Sequence, residues 1–257
     1  MHTHIDNPFV VFAFALIVQA VAAFAGDFLR RRSQPFRQGE RNDFATVQAA
    51  TLTLLALIVG FTFSMAVTRY DQRKTLEEAE ANAIGTQYLR TDLLPGDLGA
   101  RTRELLRKYF DLRIAFYEES DEQLVKDIDR QTASLQAELW NAVLPAASSQ
   151  PTPVIALVIA GMNDVINSQG YTQAAWWNRI PVAAWGLMVM IAVFANGLLG
   201  FGVRDAKRES RLLLVLPLVV AIAFFLIADI DSPRGGMIRV HPQNLLSLSQ
   251  SLRASKE

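Results

Sequence analysis

Arg69, Tyr70, Asp71 and Arg73 stand where a charge-free apolar run, residues 44–68, gives way to charged sequence. At a bilayer edge such side chains do one of two things. They anchor a helix in the headgroup region, helped by i,i+4 pairs such as Arg73 with Glu77. Alternatively, repeated around a symmetry axis, they form a cationic ring that concentrates anions at a pore mouth. Asp229 and Asp231 close the last apolar run and are the carboxylates available to neutralise Arg69 or Arg73. Upstream, Thr51, Ile58, Thr62 and Met65 share a narrow angular band with Arg69 at 100° per residue, with Leu55 at its edge. Arg73, Leu76, Glu80 and Gln87 continue the band. This stripe reads either as threonine-mediated packing between membrane helices or as a pore lining. In the second case Leu55, Ile58 and Met65 form an apolar neck, and Thr51 and Thr62 form polar rings.

Other chemistry finds little support in the composition. Cys is absent, which removes disulfides and thiolate metal sites. His2, His4 and His241 lie near the chain ends without ligand spacing, so no metal and no cofactor is expected. No glycine-rich phosphate loop or nucleophile set emerges, and the chain is not expected to be an enzyme. Lys plus Arg number 25 and so do Asp plus Glu, so no basic excess points to nucleic acid.

The elements that position these residues are membrane spans. Residues 7–26, 44–68, 180–203 and 212–228 contain no charged side chain, and about 20 such residues cross the hydrocarbon. The predicted fold is an all-α integral membrane protein with four transmembrane helices and a soluble helical insertion between the second and third. Residues 1–68 carry helices 1 and 2, 69–180 the insertion, 181–230 the hairpin of helices 3 and 4, and 231–257 a tail. The first run lacks a positive leading region and reads as a retained anchor, not a cleaved signal. No breaker interrupts the second run before Pro95-Gly96, which predicts one helix leaving the membrane and continuing into water.

In the insertion, Leu105, Tyr109, Leu112 and Phe116 mark a helix after Asp97. Leu124, Ile128, Leu135 and Leu139 mark another, capped by Ser120 with Gln123 and ended by Pro145. Residues 146–153 read as loop, 154–168 as a segment too short to span, Gly170 as a break, and Trp176 and Trp177 as the return to the interface. Asn196 is expected to hydrogen-bond to a neighbouring helix. Five Arg in 27–43 and four Lys or Arg in 204–211 place those connectors in the cytoplasm. The expected protein is multi-pass in the cell (inner) membrane, with the helical domain and both termini on the outer face.

The run GFTFSMAVTRYDQRKTLEEAEANAIGTQYLRTDLLP, together with DIDSPRGGMIRV after the last span, resembles the bacterial bestrophin-like family. That resemblance implies relation to bestrophins, pentameric ion channels with four transmembrane helices per subunit, the second lining the pore. It implies a homo-oligomeric channel in a lipid bilayer, a pentamer by analogy, with inorganic ions as permeant partners. The chain departs from bestrophins in two respects: their helical domain is cytosolic, and their calcium-binding motifs are not evident here. The competing reading is a non-conducting membrane sensor or scaffold whose helical domain binds a partner or ligand, with the threonine stripe buried inside the subunit.

Overall fold

The computed structural model describes residues 7–34, 37–203 and 212–254. The described residues form α1 (Pro8–Arg32), α2 (Gln38–Arg90), α3 (Leu98–Glu118), α4 (Glu122–Ser149), α5 (Pro153–Trp177), α6 (Val182–Gly202), α7 (Val215–Asp231) and α8 (Gln243–Ala254), with no strand among them. The chain divides into two units. One comprises residues 1–69 and 179–239, the other 70–178 and 240–257, and α2 contributes to both. The connector 204–211, on which part of the orientation argument rests, lies outside the described residues, as does the N-terminal segment 1–6.

In the first unit α1 starts on Asn7, whose Oδ1 accepts from the backbone N–H of Phe9 at 3.0 Å and Val10 at 3.4 Å, with Pro8 in the first turn. Three helical stretches, Pro8–Arg32, Gly39–Leu93 and Pro153–Gly202, are long and apolar enough to cross a membrane. The fourth apolar run folds as a 3-10 turn at Leu212–Leu214 followed by α7. At 17 residues, α7 is about 26 Å long, just short of a typical hydrocarbon core. The expectation of four spans is therefore met only in its coarser form, a helical membrane protein with three qualifying stretches.

α1 packs on α6 and α7. The contact with α6 is backbone on backbone: a methyl group at Gly26 would fall on the carbonyl of Gly197, and one at Gly200 on the carbonyl of Ala23. Beside it, buried Asn196 donates through Nδ2 to Gln19 Oε1 at 3.0 Å, the interhelical bond expected of that asparagine.

In the second unit α3 packs on α4, and α4 on α5. Leu106, Tyr109, Phe116, Leu139, Val143, Val158 and Met162 form its core, closed by Trp176 against the rings of Phe116 at 5.0 Å and Tyr117 at 5.5 Å.

Several local expectations are corrected. Asp121, not Ser120, caps α4, accepting from Gln123 N at 2.7 Å and Leu124 N at 3.1 Å. α4 runs through Pro145 to Ser149, because buried Ala142, Val143 and Ala146 hold its last turns against the core. α5 runs through Gly170 to Trp177, so Trp176 is a core residue while Trp177 stays 74% exposed. The tail, irregular from Ser232 to Pro242, also contains a helix not assigned from the sequence. α8 inserts Leu245, fully buried, into the same core.

Candidate functional site

α2 is unbroken from Gln38 to Arg90, as the absence of Pro and the late Pro95-Gly96 predict. Within the first unit its angular faces differ sharply. Leu55 is 4% exposed, Thr62 5% and Ala66 0%, so this side is closed off inside the chain itself. Thr51, Ile58 and Met65 flank it and are half-buried. The band read from the sequence thus straddles a boundary, with its Leu55 and Thr62 edge turned inward. The opposite face is open and bears Thr46, Thr53, Leu57, Gly60, Phe61, Ser64 and Thr68, with Leu57 52% and Phe61 70% exposed. The threonine hydroxyls bond to carbonyls one turn back, Thr51 to Val47 and Thr62 to Ile58 at 2.8 Å, Thr53 to Ala49 and Thr68 to Ser64 at 2.9 Å. Satisfied in this way, they face an apolar or an aqueous phase at little cost.

At the end of this run Asp231, 1% exposed, gathers cations and a backbone donor. Arg69 lies 3.6 Å away, Arg179 Nε donates at 3.1 Å and Ile180 N at 3.2 Å. Asp229, equally buried, instead accepts from Met237 N at 2.7 Å and Ile238 N at 3.0 Å. The Ser-Pro-Arg-Gly-Gly loop makes this possible: a side chain at Gly236 would meet Asp229 Oδ1 at 2.6 Å. The two aspartates therefore do different work. One ties Arg69 to the start of α6, and the other folds the chain back under α7. Tyr70 is half-buried, with Lys74 Nζ 5.8 Å from its ring centre, and Asp71 is exposed.

In the second unit α2 buries charge. Arg73, 1% exposed, donates to the carbonyls of Ala175 at 3.3 Å and Asn178 at 3.4 Å, at the C-terminus of α5. Glu77 accepts from Leu245 N at 2.9 Å and Asn244 Nδ2 at 2.6 Å, at the N-terminus of α8. Each charge meets the helix end of opposite partial charge. Glu80 pairs with Arg113 Nε, both fully buried, and also accepts from Tyr117 Oη at 3.1 Å and Thr172 Oγ1 at 3.2 Å. Burial and the Glu80 carboxylate push the Tyr109 and Tyr117 hydroxyls well above the ordinary phenol range. Burial alone would lower Arg113, but Glu80 and the two phenols outweigh it and leave its pKa raised. Gln87 donates to Val158 O at 3.0 Å across Gly161, where a Cβ would strike Gln87 and Arg90. The role of Arg113 was missed from sequence. The available signal was its place four residues from Tyr109 and three from Phe116, on the apolar face of α3.

Among the described residues no group of three or more His, Asp or Glu is arranged to hold a metal. The polar clusters pair with one another and with helix ends, an arrangement that fixes geometry.

The family model of the bestrophin-like domain matches residues 11–245. The chain belongs to the bestrophin-like family. The matched region of this bestrophin-like chain includes all of α2 and the Asp229 loop and ends on Leu245, whose N–H is held by Glu77. Solved structures of a bacterial bestrophin homolog from Klebsiella pneumoniae share its fold. One point variant superposes with a TM-score of 0.65 at 13% identity, covering 96% of this chain and 99% of the other. A structure phased on zinc gives 0.62 at 13% identity, covering 94% and 98%. No curated protein matches the chain.

Proposed function

We propose that this bestrophin-like protein is a homo-oligomeric ion channel, pentameric by analogy with bestrophins, with α2 lining a passage shared among subunits. Four mostly apolar helices of one chain cannot readily enclose water, so several copies must surround an axis. The observation that carries the reading is the open face of α2, where four hydroxyls and Gly60 alternate with Leu57 and Phe61. That run of hydroxyls on one open face supports a lining shared with other copies. In this assignment Leu57 and Phe61 form the apolar neck, Thr53, Ser64 and Thr68 the polar lining, and Thr51, Ile58 and Met65 flank it. Leu55 and Thr62 pack within the subunit. Arg69 and Asp231 serve as an interfacial network, and so does Asp229. Tyr70, Asp71 and Arg73 follow at the membrane edge.

The scaffold reading keeps one observation of its own, the burial of Leu55 and Thr62 inside the chain. Mass measurement in detergent followed by single-channel recording in planar bilayers separates the two. An oligomer whose currents grow with Phe61→Ala is the expected result. A monomer without currents supports the scaffold. The arginine-rich connectors lead us to place the helical unit on the outer face of the inner membrane. Because the chain lacks Cys, a single cysteine at exposed Ser120 tests this. Labelling of intact cells by an impermeant maleimide is expected, and labelling only after lysis reverses the orientation.

A further inference from the structure

At the arginine-rich end of the first unit, α1, α2 and α6 enclose a 460 Å³ cleft lined by Arg30, Arg31, Arg41, Gln48, Phe44 and Phe201, with smaller neighbours. Its size suits a small molecule or a headgroup. Three arginines line it and, among the described residues, no carboxylate does. Buried Asp27, just behind, takes up part of that charge: Arg31 reaches it at 2.7 Å and Arg30 at 3.4 Å. Compensation stops there. Arg30 Nε has no hydrogen-bond partner among the described residues, and half-buried Arg41 pairs with no carboxylate among them. Among the described residues the cleft therefore keeps a net positive charge.

The lining also carries two aromatic rings. The rings of Phe44 and Phe201 lie 5.8 Å apart, and Phe44 rests on bare backbone, since a Cβ at Gly202 would sit 3.0 Å from its Cε1. The cleft also occurs at a particular depth. Phe44 begins one charge-free run and Phe201 to Val203 end another, so arginines and rings meet where hydrocarbon gives way to headgroups. Arginines beside aromatic rings at that level match a phosphodiester joined to acyl chains.

We propose that this cleft binds the headgroup of an anionic phospholipid, with Arg30, Arg31 and Arg41 on the phosphate and Phe44 and Phe201 against the first carbons of the lipid. The same arginines would accept inorganic phosphate, but only a lipid uses the aromatic rings. Basic pockets between membrane helices serve this role in general.

The test uses the full chain in detergent, read by native mass spectrometry for retained adducts and by the thermal midpoint. Phosphatidylglycerol, phosphatidylcholine and inorganic phosphate are added separately. Phosphatidylglycerol should be retained and protective, and the other two should not. Arg41→Gln should weaken retention about fivefold, the scale of one arginine near a phosphate surface. Arg32→Gln should leave retention unchanged, because Arg32 stacks on Phe28 at 4.2 Å and does not line the cleft. Equal protection by inorganic phosphate would overturn the lipid assignment. Equal retention of the two lipids, or identical behaviour of the Arg41 and Arg32 variants, would reduce the binding to nonspecific annular lipid and overturn the site. The comparison of ligands on the wild-type chain needs no variant to fold.

Discussion

The two halves of α2 bury the same angular face with opposite chemistry. Up to Arg69 the inward side is Leu55, Thr62 and Ala66, small or apolar and closed by packing alone. Beyond it the inward side carries, around Ile84, the polar residues Arg73, Glu77, Glu80 and Gln87, each held by a named partner. Where the buried face meets only other membrane helices, apolar packing is sufficient and stray charge is costly. The second half places its charges where other helices end, so a buried arginine and a buried glutamate become caps for α5 and α8. One continuous stripe can thus close two environments, provided the polar part finds partners.

The sharpest way to break this contrast is at Glu80 and Arg113. Arg113→Met alone strands a fully buried carboxylate and should cost about 3–5 kcal/mol. Combining it with Glu80→Gln, which still accepts from Tyr117 and Thr172, should restore most of the loss. Thermal unfolding of the detergent-solubilised protein reads both. An unaffected single variant would mean that the second half is closed by packing, like the first.

A smaller effect is expected in the membrane half. Leu55→Ala should destabilise by about 1–2 kcal/mol, since only packing is lost there. Leu57→Ala should change stability by less than about 0.5 kcal/mol. The reverse order would exchange the inward and open faces of α2. In recordings the pair should behave oppositely, with Leu57→Ala altering conductance and Leu55→Ala leaving it unchanged.

An effect confined to alkaline pH concerns Tyr109 and Tyr117. Both hydroxyls are raised by burial and by Glu80, so the folded state keeps protons that the unfolded chain releases near pH 10. Their stabilising contribution is present below that value and declines above it, by at most about 1.4 kcal/mol per pH unit for each tyrosine. The tyrosinate absorbance of folded protein should lag that of denatured protein on alkaline titration. Tyr109→Phe with Tyr117→Phe should shrink the lag, and a titration without any lag would contradict the burial of these rings.

What the chain disclosed before its fold was known follows from the range of each interaction. The length of α2 was legible because helix continuity is local and Pro95-Gly96 is a local stop. The stripe was legible as a period, but periodicity carries no sign. It cannot say whether Thr62 looks into its own subunit or out of it. Pro145 and Gly170 misled because their neighbours, Val143 and Ala146 or Thr172 and Trp176, are held by a core that tolerates one missing bond or one flexible residue. α8 was hidden because its apolar positions are few and its start depends on Glu77, 168 residues before Leu245. The pairing of Glu80 with Arg113 likewise joins positions 33 residues apart.

The glycine contact between α1 and α6 has a mechanical corollary. Two rods touching main chain to main chain at Gly26, Gly197 and Gly200 leave no compressible cushion between them, so sliding or rolling would drive carbonyls into one another. The pair is expected to travel as one stiff plank, and any motion that widens or narrows a passage falls to helices separated by deformable side chains.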